Sequence, residues 1–552
     1  MSVSIIIVAF CGLVFSAIAK RLHFSSELFL VLLLGVVSFA PFLERVQIDG
    51  HLLLELILPP MLFSAAQNLS GYKFRQMRNP IIWLGVGLII VTAVIVALVV
   101  DAMTGFMTFS AGLILGSVVA PPDAVSSVSI GKKLGLPDRV MTILTGESLI
   151  NDAAALTLFT FSVGITYGEH NPIENPFWLL VYASISGVGV GLLSGGVTVL
   201  VRKLLDDSQI IAVFTALMPW AIYIGAEKMH ASGVLAVVAA GFVIEKNSFR
   251  SNHTTRLQEQ ALWHSIETLI DSFVFAYIGL QLRFIITDLI NSTLSTSLTI
   301  LSGFAVLFVV IAVRPFGVLG YNASRLIWYR MQYKHLSHFI SSKPYGKKMY
   351  SKASDRLQSA AVSWREYLIL SWTGMRGVVT LAAASSIPTK FASDEVINYH
   401  SDAFKIHIFI QVVGLIVAIG TLLLQGLTLP ILIRKLEPGL KELSGKNPLD
   451  GQYGKARRIM EDSALMVINK EHDASPESFD KEHIIRVWKS LDSVSIAKNK
   501  RDISFVSNLL IEIVRTQRED IQRAAQNGEL HPSVAREFLN RLDLRLASYT
   551  AK

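Results

Sequence analysis

The chain has 552 residues, of which 52% are hydrophobic and 17% are charged, and its formal net charge is +8. Soluble domains usually carry about 25% charged residues, so this composition excludes a soluble or nucleic-acid enzyme and favours a membrane protein. The single cysteine, Cys11, excludes an internal disulfide, and no Cys/His spacing indicates zinc, so we expect no cofactor.

Charge is unevenly distributed along the chain. Residues 435–552 carry 20 basic and 18 acidic residues, which leaves 30 and 24 for the first 434 residues. We therefore predict a transmembrane domain at 1–434 and a cytoplasmic tail at 435–552. Apolar spacing in the tail predicts amphipathic helices at 503–525 and 533–548, either in a small regulatory or dimer-supporting domain or in a solvated tail.

Apolar segments long enough to cross a bilayer recur through the first 434 residues. A transmembrane helix needs roughly 17 to 25 such residues. No basic region precedes the first segment, so we expect a retained span rather than a signal peptide. The thirteen predicted spans are 2–19, 27–43, 50–69, 79–101, 106–127, 140–166, 176–201, 208–228, 230–246, 262–285, 296–322, 366–387 and 405–434.

Basic residues of the connecting loops predict the orientation. If the N-terminus lies outside, thirteen of them fall in short inside loops and four in outside loops, and nine more fall in the long loop at 323–365. Positive charge concentrates in the cytoplasmic loops of membrane proteins. We therefore predict an outside N-terminus and a cytoplasmic C-terminus.

Two of the predicted spans contain breaks. Pro121 and Pro122 precede Asp123 in the fifth span, and two glycines flank Arg376 in the twelfth. Proline interrupts helical hydrogen bonds, and irregular backbone at membrane depth occurs only where it is buried in protein or lines a cavity. Because the breaks lie seven spans apart, the two helices run in opposite directions. This predicts inverted repeats, in which paired broken helices mark the ion or substrate site.

The seventh span contains a cluster of glycines. They lie inside a helical segment and follow no strand, which argues against a phosphate-binding loop. Gly187, Gly191 and Gly195 have fourfold spacing and predict a close contact between helices.

Polar side chains in the sixth span form the strongest candidate site. Ser148 and Asp152 share one helix face, and Glu147 and Asn151 share the neighbouring face. Ionisable residues inside a bilayer are costly and are therefore candidates for function. Oxygen ligands suit a hard monovalent cation, and burial disfavours a charged carboxylate, so we expect Asp152 to hold either a proton or a cation.

Buried arginines need partners in the membrane. We expect Arg376 to pair with Glu147 in a structural ion pair, with Asp123 as an alternative partner. Arg314 lies deep in the eleventh span and is a candidate for bridging freed carbonyl groups. Glu267 on the tenth span either lines an aqueous path or belongs to a satisfied polar face.

Four segments resemble motifs of the monovalent cation/proton antiporter-1 family, which includes bacterial NhaP-like proteins and animal sodium/proton exchangers. Residues 146–153, Gly-Glu-Ser-Leu-Ile-Asn-Asp-Ala, resemble its GESLxND signature. Residues 58–63 resemble its LPPxLF segment, residues 122–125 its TDP or TDAV segment, and residues 374–379 its GLRGAV segment. The tail stretch from Gly528 to Leu544 is similar to the ends of longer bacterial members, so the resemblance covers nearly the whole chain.

The resemblance implies an all-α polytopic membrane fold of about thirteen spans, with two crossed discontinuous helices and a helical cytoplasmic tail, in a plasma-membrane homodimer. It implies that Asp152 binds the transported cation and proton. Ser148, Asn151, Asp123 and the Pro122 backbone carbonyl are the further expected ligands. Electroneutral members carry the Asn-Asp pair found at 151–152, whereas electrogenic relatives carry two aspartates.

The chain departs from the family pattern at two positions. Ser64 stands where an acidic residue often follows the LPPxLF segment and assists in cation binding. Pro122 stands where the family usually has threonine, and it offers a carbonyl but no hydroxyl. Both departures remove expected ligands and leave the cation selectivity open.

These features predict a secondary antiporter rather than an enzyme. It exchanges a monovalent cation for protons in pH and cation homeostasis, with sodium favoured and potassium or lithium as alternatives. The competing hypothesis is a cation channel or a transport-dead membrane sensor that signals through the tail. A channel needs a continuous pore lined by polar rings, whereas this sequence shows one compact site.

Overall fold

The computed structural model describes residues 2–21, 26–40, 50–69, 74–75, 77–123, 127–128, 130–131, 134–167, 176–248, 253–340, 363–385, 387, 402–441, 450–474, 500–527, 529–530 and 532–550. The regular secondary structure of these residues is helical, with no β-strand among them. This confirms the predicted all-α fold.

A helix lies at each predicted span, and the twelfth span is divided into two helices. Helices α1 to α7 are Ser2–Arg21, Ser26–Val37, Gly50–Asn68, Arg78–Thr104, Phe109–Val119, Asp138–Tyr167 and Pro176–Leu204. Helices α8 to α14 are Ser208–Glu227, Gly233–Ser248, His253–Asn291, Thr296–Ile340, Trp364–Trp372, Val378–Ser385 and 402–441.

Seven helices of the described residues are long and apolar enough to cross a membrane, namely α4, α6, α7, α8, α10, α11 and α14. Helices α1, α2, α3 and α5 contain shorter apolar segments. The chain is therefore a multi-pass membrane protein, and the number of thirteen spans stays a prediction.

Apolar side chains fill the core of the helical assembly and also lie on its outer surface. Ile114 and Leu115 on α5 have no exposed surface, so this helix lies in the protein core. Leu193 on α7 is 74% exposed, and Phe308 and Phe316 on α11 are each 73% exposed. Large apolar side chains on an outer surface are stable in lipid, which agrees with a transmembrane arrangement.

The predicted glycine contact lies between α7 and α9. A Cβ at Gly187 would lie 2.6 Å from the Ser232 carbonyl oxygen, and one at Gly195 would lie 2.9 Å from Ala240 Cα. Gly196, one residue further along α7, meets no atom within 4 Å. The glycines with fourfold spacing therefore allow the two backbones to approach closely.

Three helices of the tail pack on one another. They are α15 (Asp450–Ala474), α16 (Lys500–Gln526) and α17 (Pro532–Thr550), and the last two confirm the predicted amphipathic helices. Ile521 and Leu542 lie with no exposed surface in their shared core. The described residues of these three helices thus form a packed unit, which favours the small domain over the solvated tail. Its division from the transmembrane domain at residue 434 stays a prediction, and α14 continues past that residue to Lys441.

The tail also contacts the transmembrane helices. Helix α10 begins at His253, nine residues before the predicted span, and this extension carries Arg256 to the tail. Arg256 donates from Nε to Asp543 Oδ2 at 2.9 Å, and Arg518 donates from Nε to Asp543 Oδ1 at 3.3 Å. The Asp543 side chain is 1% exposed, so one buried carboxylate joins a tail helix to a membrane helix.

Candidate functional site

The two predicted helix breaks meet each other. Helix α5 ends at Val119, and residues 120–123 follow without helical structure. Residues 373–377 separate α12 from α13 in the same way. The Asp123 N–H donates to the Met375 carbonyl at 2.6 Å, so the two irregular segments are hydrogen-bonded to each other.

Arg376 stabilises the break at the end of α5. It donates from Nε to the Val119 carbonyl at 2.8 Å and from Nη2 to the Ala120 carbonyl at 2.9 Å, and from Nη1 to the Gly374 carbonyl. Carbonyl groups at the end of a helix lack N–H partners. A charged guanidinium with five donors is well suited to satisfy them.

The predicted ion pair between Glu147 and Arg376 is wrong. Glu147 pairs with Arg314, which donates from Nη1 to Oε1 at 2.5 Å and from Nη2 to Oε2 at 3.0 Å. Both side chains are almost fully buried, at 2% and 4% exposure. Carbonyl groups at the two helix breaks accept hydrogen bonds from three of the five Arg376 donors, so this arginine is stabilised without a carboxylate.

Helix α6 presents Ser148 and Asp152 to a small cavity of about 40 Å³. Asp123 from the broken segment after α5 lines the same cavity. The predicted i, i+4 face of α6 therefore lies opposite a helix break, as the sequence indicated. A water molecule needs roughly 10–15 Å³ of such space, so the cavity has room for a partly dehydrated monovalent cation or a few water molecules.

Asn151 and Pro122 contact each other beside this cavity. The Asn151 side chain is fully buried, and its Nδ2 donates to the Pro122 carbonyl at 3.0 Å. Its Oδ1 has no hydrogen-bond partner among the described residues. The contact joins α6 to the break after α5, and it uses one of the two lone pairs of the carbonyl that was predicted as a ligand.

Gly377 lies directly against the Asp123 carboxyl group. A Cβ at this position would lie 2.6 Å from Asp123 Cγ and 2.8 Å from Asp123 Cβ. Helix α13 begins at the next residue, and the positive end of a helix dipole favours an acidic group nearby. The second break therefore needs glycine here for the close approach of Asp123.

Ser64 is buried on α3 at 2% exposure, where it contacts a carboxylate from another helix. Its hydroxyl donates to Glu267 Oε1 on α10. Glu267 therefore has a polar partner in the protein, which favours the interpretation as part of a satisfied polar face. The cavity wall on α3 is formed instead by apolar neighbours of Ser64, including Met61 and Ala65.

The cavity combines acidic and neutral oxygen groups with apolar walls. Carboxylate and hydroxyl oxygens are suitable ligands for a hard monovalent cation, whereas the apolar side chains of α3 restrict water. A buried carboxylate is costly unless it is protonated or paired with a cation. The arrangement is thus able to hold a proton or a cation.

The family model described as "Sodium/hydrogen exchanger, transmembrane" matches residues 5–435. The chain belongs to this family. An exchanger of Mycobacterium tuberculosis, described as an uncharacterized Na(+)/H(+) exchanger, is 29% identical over 430 residues, which cover 76% of this chain and 71% of the relative. The Na(+)/H(+) antiporter ApNhaP of Aphanothece halophytica is 26% identical over 400 residues, which cover 71% of this chain and 66% of the antiporter.

The fold of this sodium/hydrogen exchanger has a counterpart among solved structures. The sodium proton antiporter MjNhaP1 of Methanocaldococcus jannaschii at pH 8 matches with a TM-score of 0.60 and 18% identity. The match covers 80% of this chain and 98% of that chain. The match supports the helical fold of the predicted transmembrane domain. The matched share of the chain is about as long as that domain.

One contact of the exchanger was missed by the sequence interpretation. Arg314 was expected to bridge carbonyl groups, and it does donate from Nε to the Leu370 carbonyl at 2.9 Å. Its ion pair with Glu147 was assigned to Arg376 instead. The available signal was the depth of Arg314 in an apolar span, because an arginine at that depth needs either an acidic partner or backbone carbonyl groups. Depth alone does not decide between the two.

Proposed function

We propose that this exchanger carries sodium out of the cytoplasm and protons in, with Asp152 as the residue that binds each in turn. The observation that carries the proposal is the cavity at the crossing of the broken helices, which Asp152, Ser148 and Asp123 line together. Paired broken helices at a common site are typical of secondary transporters.

Competition for one carboxylate gives the exchange. When Asp152 is protonated its negative charge is lost, so the cavity, which Asp123 also lines, holds one negative charge fewer and the cation leaves. When the proton leaves, the carboxylate needs a cation to remain buried. Ser148 supplies a neutral oxygen ligand on the same helix face. Sodium and protons therefore occupy the site alternately.

The balance of charge in the site favours electroneutral exchange. Asn151 is neutral and Glu147 is held by Arg314, so α6 contributes only Asp152 as a titrating residue to the cavity. The proposal assigns the exchange to Asp152 and keeps Asp123, the other carboxylate of the cavity, in one protonation state throughout. One proton then replaces one monovalent cation. The proposal predicts that an imposed membrane potential has little effect on the exchange rate.

The proposed setting is the cell membrane, with the N-terminus outside and the tail in the cytoplasm. The contact between Asp543 and Arg256 supports the placement of the tail on the same side as the beginning of α10, and the charge distribution assigns that side to the cytoplasm. A homodimer is proposed from the family resemblance. Regulation through the tail is consistent with its direct contact with α10.

A proton-flux assay in everted vesicles tests the proposal. Sodium, potassium and lithium are added separately at several pH values, and the same vesicles are then examined with and without an imposed potential. We expect saturable, sodium-dependent proton movement that changes little with potential. Flux without proton coupling, or large single-channel currents after reconstitution, would support a channel and contradict the proposal.

A further inference from the structure

The cavity at the crossing is lined by one polar group that the candidate site did not include. Thr380 lies in α13, three residues after the second break, and borders the cavity together with Ser148 and Asp152. Its side chain is 1% exposed. Because α13 carries Thr380 and α6 carries the other two, the cavity is bounded by polar groups from two different helices.

The Thr380 hydroxyl has no hydrogen-bond partner among the described residues. Serine and threonine inside a helix normally donate to the carbonyl four residues earlier. Thr157 does so to Ala153 at 2.7 Å, and Thr92 does so to Leu88 at 2.7 Å. The residue four positions before Thr380 is Arg376, which lies in the irregular segment rather than in a helical turn.

An unpaired buried hydroxyl is unfavourable, so its position requires an explanation. A hydroxyl oxygen has two lone pairs and accepts or coordinates as readily as it donates. The other polar side chains around the cavity are two carboxylates and the Ser148 hydroxyl. Together with the Thr380 hydroxyl, these oxygen groups form a suitable set of ligands for a cation.

We propose that the Thr380 hydroxyl is a direct ligand of the transported cation and completes its coordination from α13. This inference rests on the proposed function, because it assumes that the cavity holds a cation. It also supplies a hydroxyl from the second broken helix, where Pro122 on the first broken segment offers only a carbonyl. The ligand set then joins α6 to both broken elements.

The test compares three variants of Thr380 in the full chain. Thr380→Val keeps the shape and removes the hydroxyl, Thr380→Ala removes it with a smaller side chain, and Thr380→Ser keeps it. We expect Thr380→Val and Thr380→Ala to raise the apparent KM for sodium roughly tenfold, with a maximal rate within about twofold of wild type. Thr380→Ser is expected to keep the wild-type KM.

A binding measurement separates a ligand from a packing role. Purified protein is titrated with NaCl and its Tm is recorded, because a bound cation stabilises the folded state by an amount that depends on the ratio of its concentration to its Kd. In Thr380→Val and Thr380→Ala the NaCl concentration needed for a given rise of Tm should increase by the same factor as KM. Thr92→Val is the matched control, since it removes a buried hydroxyl that is bonded within its own helix. It should leave both values unchanged.

Three results would overturn the inference. The first is a wild-type KM in Thr380→Val or Thr380→Ala, and the second is an equal rise of KM in Thr380→Ser and Thr380→Val. The third is a lower Tm in Thr380→Val or Thr380→Ala without any change in its dependence on NaCl. If Thr380→Val fails to fold, Thr380→Ala decides between these outcomes. A wild-type protein that exchanges none of the cations would instead refute the proposed function, so the two failures are distinguishable.

Discussion

The pairing of Glu147 with Arg314 rather than with Arg376 leads to a quantitative prediction. Glu147→Gln keeps the size of the side chain and removes its charge, which leaves Arg314 buried without a counter-charge. Breaking a buried ion pair on one side typically destabilises a protein by about 3–5 kcal/mol. The two hydrogen bonds, at 2.5 and 3.0 Å, and the exposures of 2% and 4% justify this range.

A double-mutant cycle identifies the partner. We expect Glu147→Gln and Arg314→Gln to show a coupling energy of about 2–3 kcal/mol, near the upper end for residues in contact. Glu147→Gln and Arg376→Gln should couple by less than about 1 kcal/mol, because Arg376 donates to carbonyl groups. Arg376→Gln alone remains destabilising, since Val119 and Ala120 lose their donors.

The free energies of unfolding are measured on purified protein in mixed micelles with increasing SDS. Tryptophan fluorescence is a suitable signal, since the chain contains 8 tryptophans. Arg314→Lys is a further variant of interest, because lysine keeps the charge and cannot form the two parallel hydrogen bonds. A larger coupling of Glu147 to Arg376 than to Arg314 would refute the reasoning.

Two further predictions follow from close contacts. Gly377→Ala places a methyl group against the Asp123 carboxyl and should abolish sodium-dependent flux in vesicles, whereas Gly196→Ala, with open space around it, should keep the wild-type flux. Wild-type flux in Gly377→Ala would show that the approach of Asp123 is not required. Asp543→Asn leaves two arginines without their shared carboxylate and should lower the stability by about 3–5 kcal/mol in the same unfolding assay. Glu537→Gln, which removes a more exposed ion pair, should change it by less than about 1 kcal/mol, and equal effects of the two would contradict a buried contact between tail and membrane helix.

Local chemistry made much of the site predictable. Two consecutive prolines cannot donate helical hydrogen bonds, which favours the break at Pro121 and Pro122. The pair is not sufficient by itself, because Pro59 and Pro60 lie inside the continuous helix α3. The i, i+4 spacing of Ser148 and Asp152 is enough to place both on one face of a helix. The meeting of this face with the first break was expected from the rule that paired broken helices form the site.

Partner choice between distant residues was not predictable. Arg314 and Arg376 are both buried arginines, and nothing in the order of residues states which of them reaches Glu147. Arg376 donates hydrogen bonds to carbonyl groups at the end of α5, and the direction of these groups depends on how that helix ends. The sequence places Arg256 among the basic residues of a short inside loop and does not indicate its partner Asp543, which lies 287 residues later in the chain.

The free hydroxyl of Thr380 was also beyond sequence reasoning. A threonine in an apolar segment normally satisfies itself on its own helix, and only the position of the break removes that acceptor. The break was predicted, but its last residue was not. A shift of a helix boundary by one or two residues therefore decides whether a polar side chain is hydrogen-bonded within its own helix or available to a ligand.

The most direct test of the central claim is proton flux in everted vesicles that contain Asp152→Asn. Asparagine has nearly the shape of aspartate and neither titrates nor carries charge, so the account predicts that sodium-dependent proton movement is lost while the protein is still folded in the membrane. Asp101→Asn, an exposed position on α4, is the control and should keep the wild-type flux. Full sodium-dependent flux in Asp152→Asn would contradict the account.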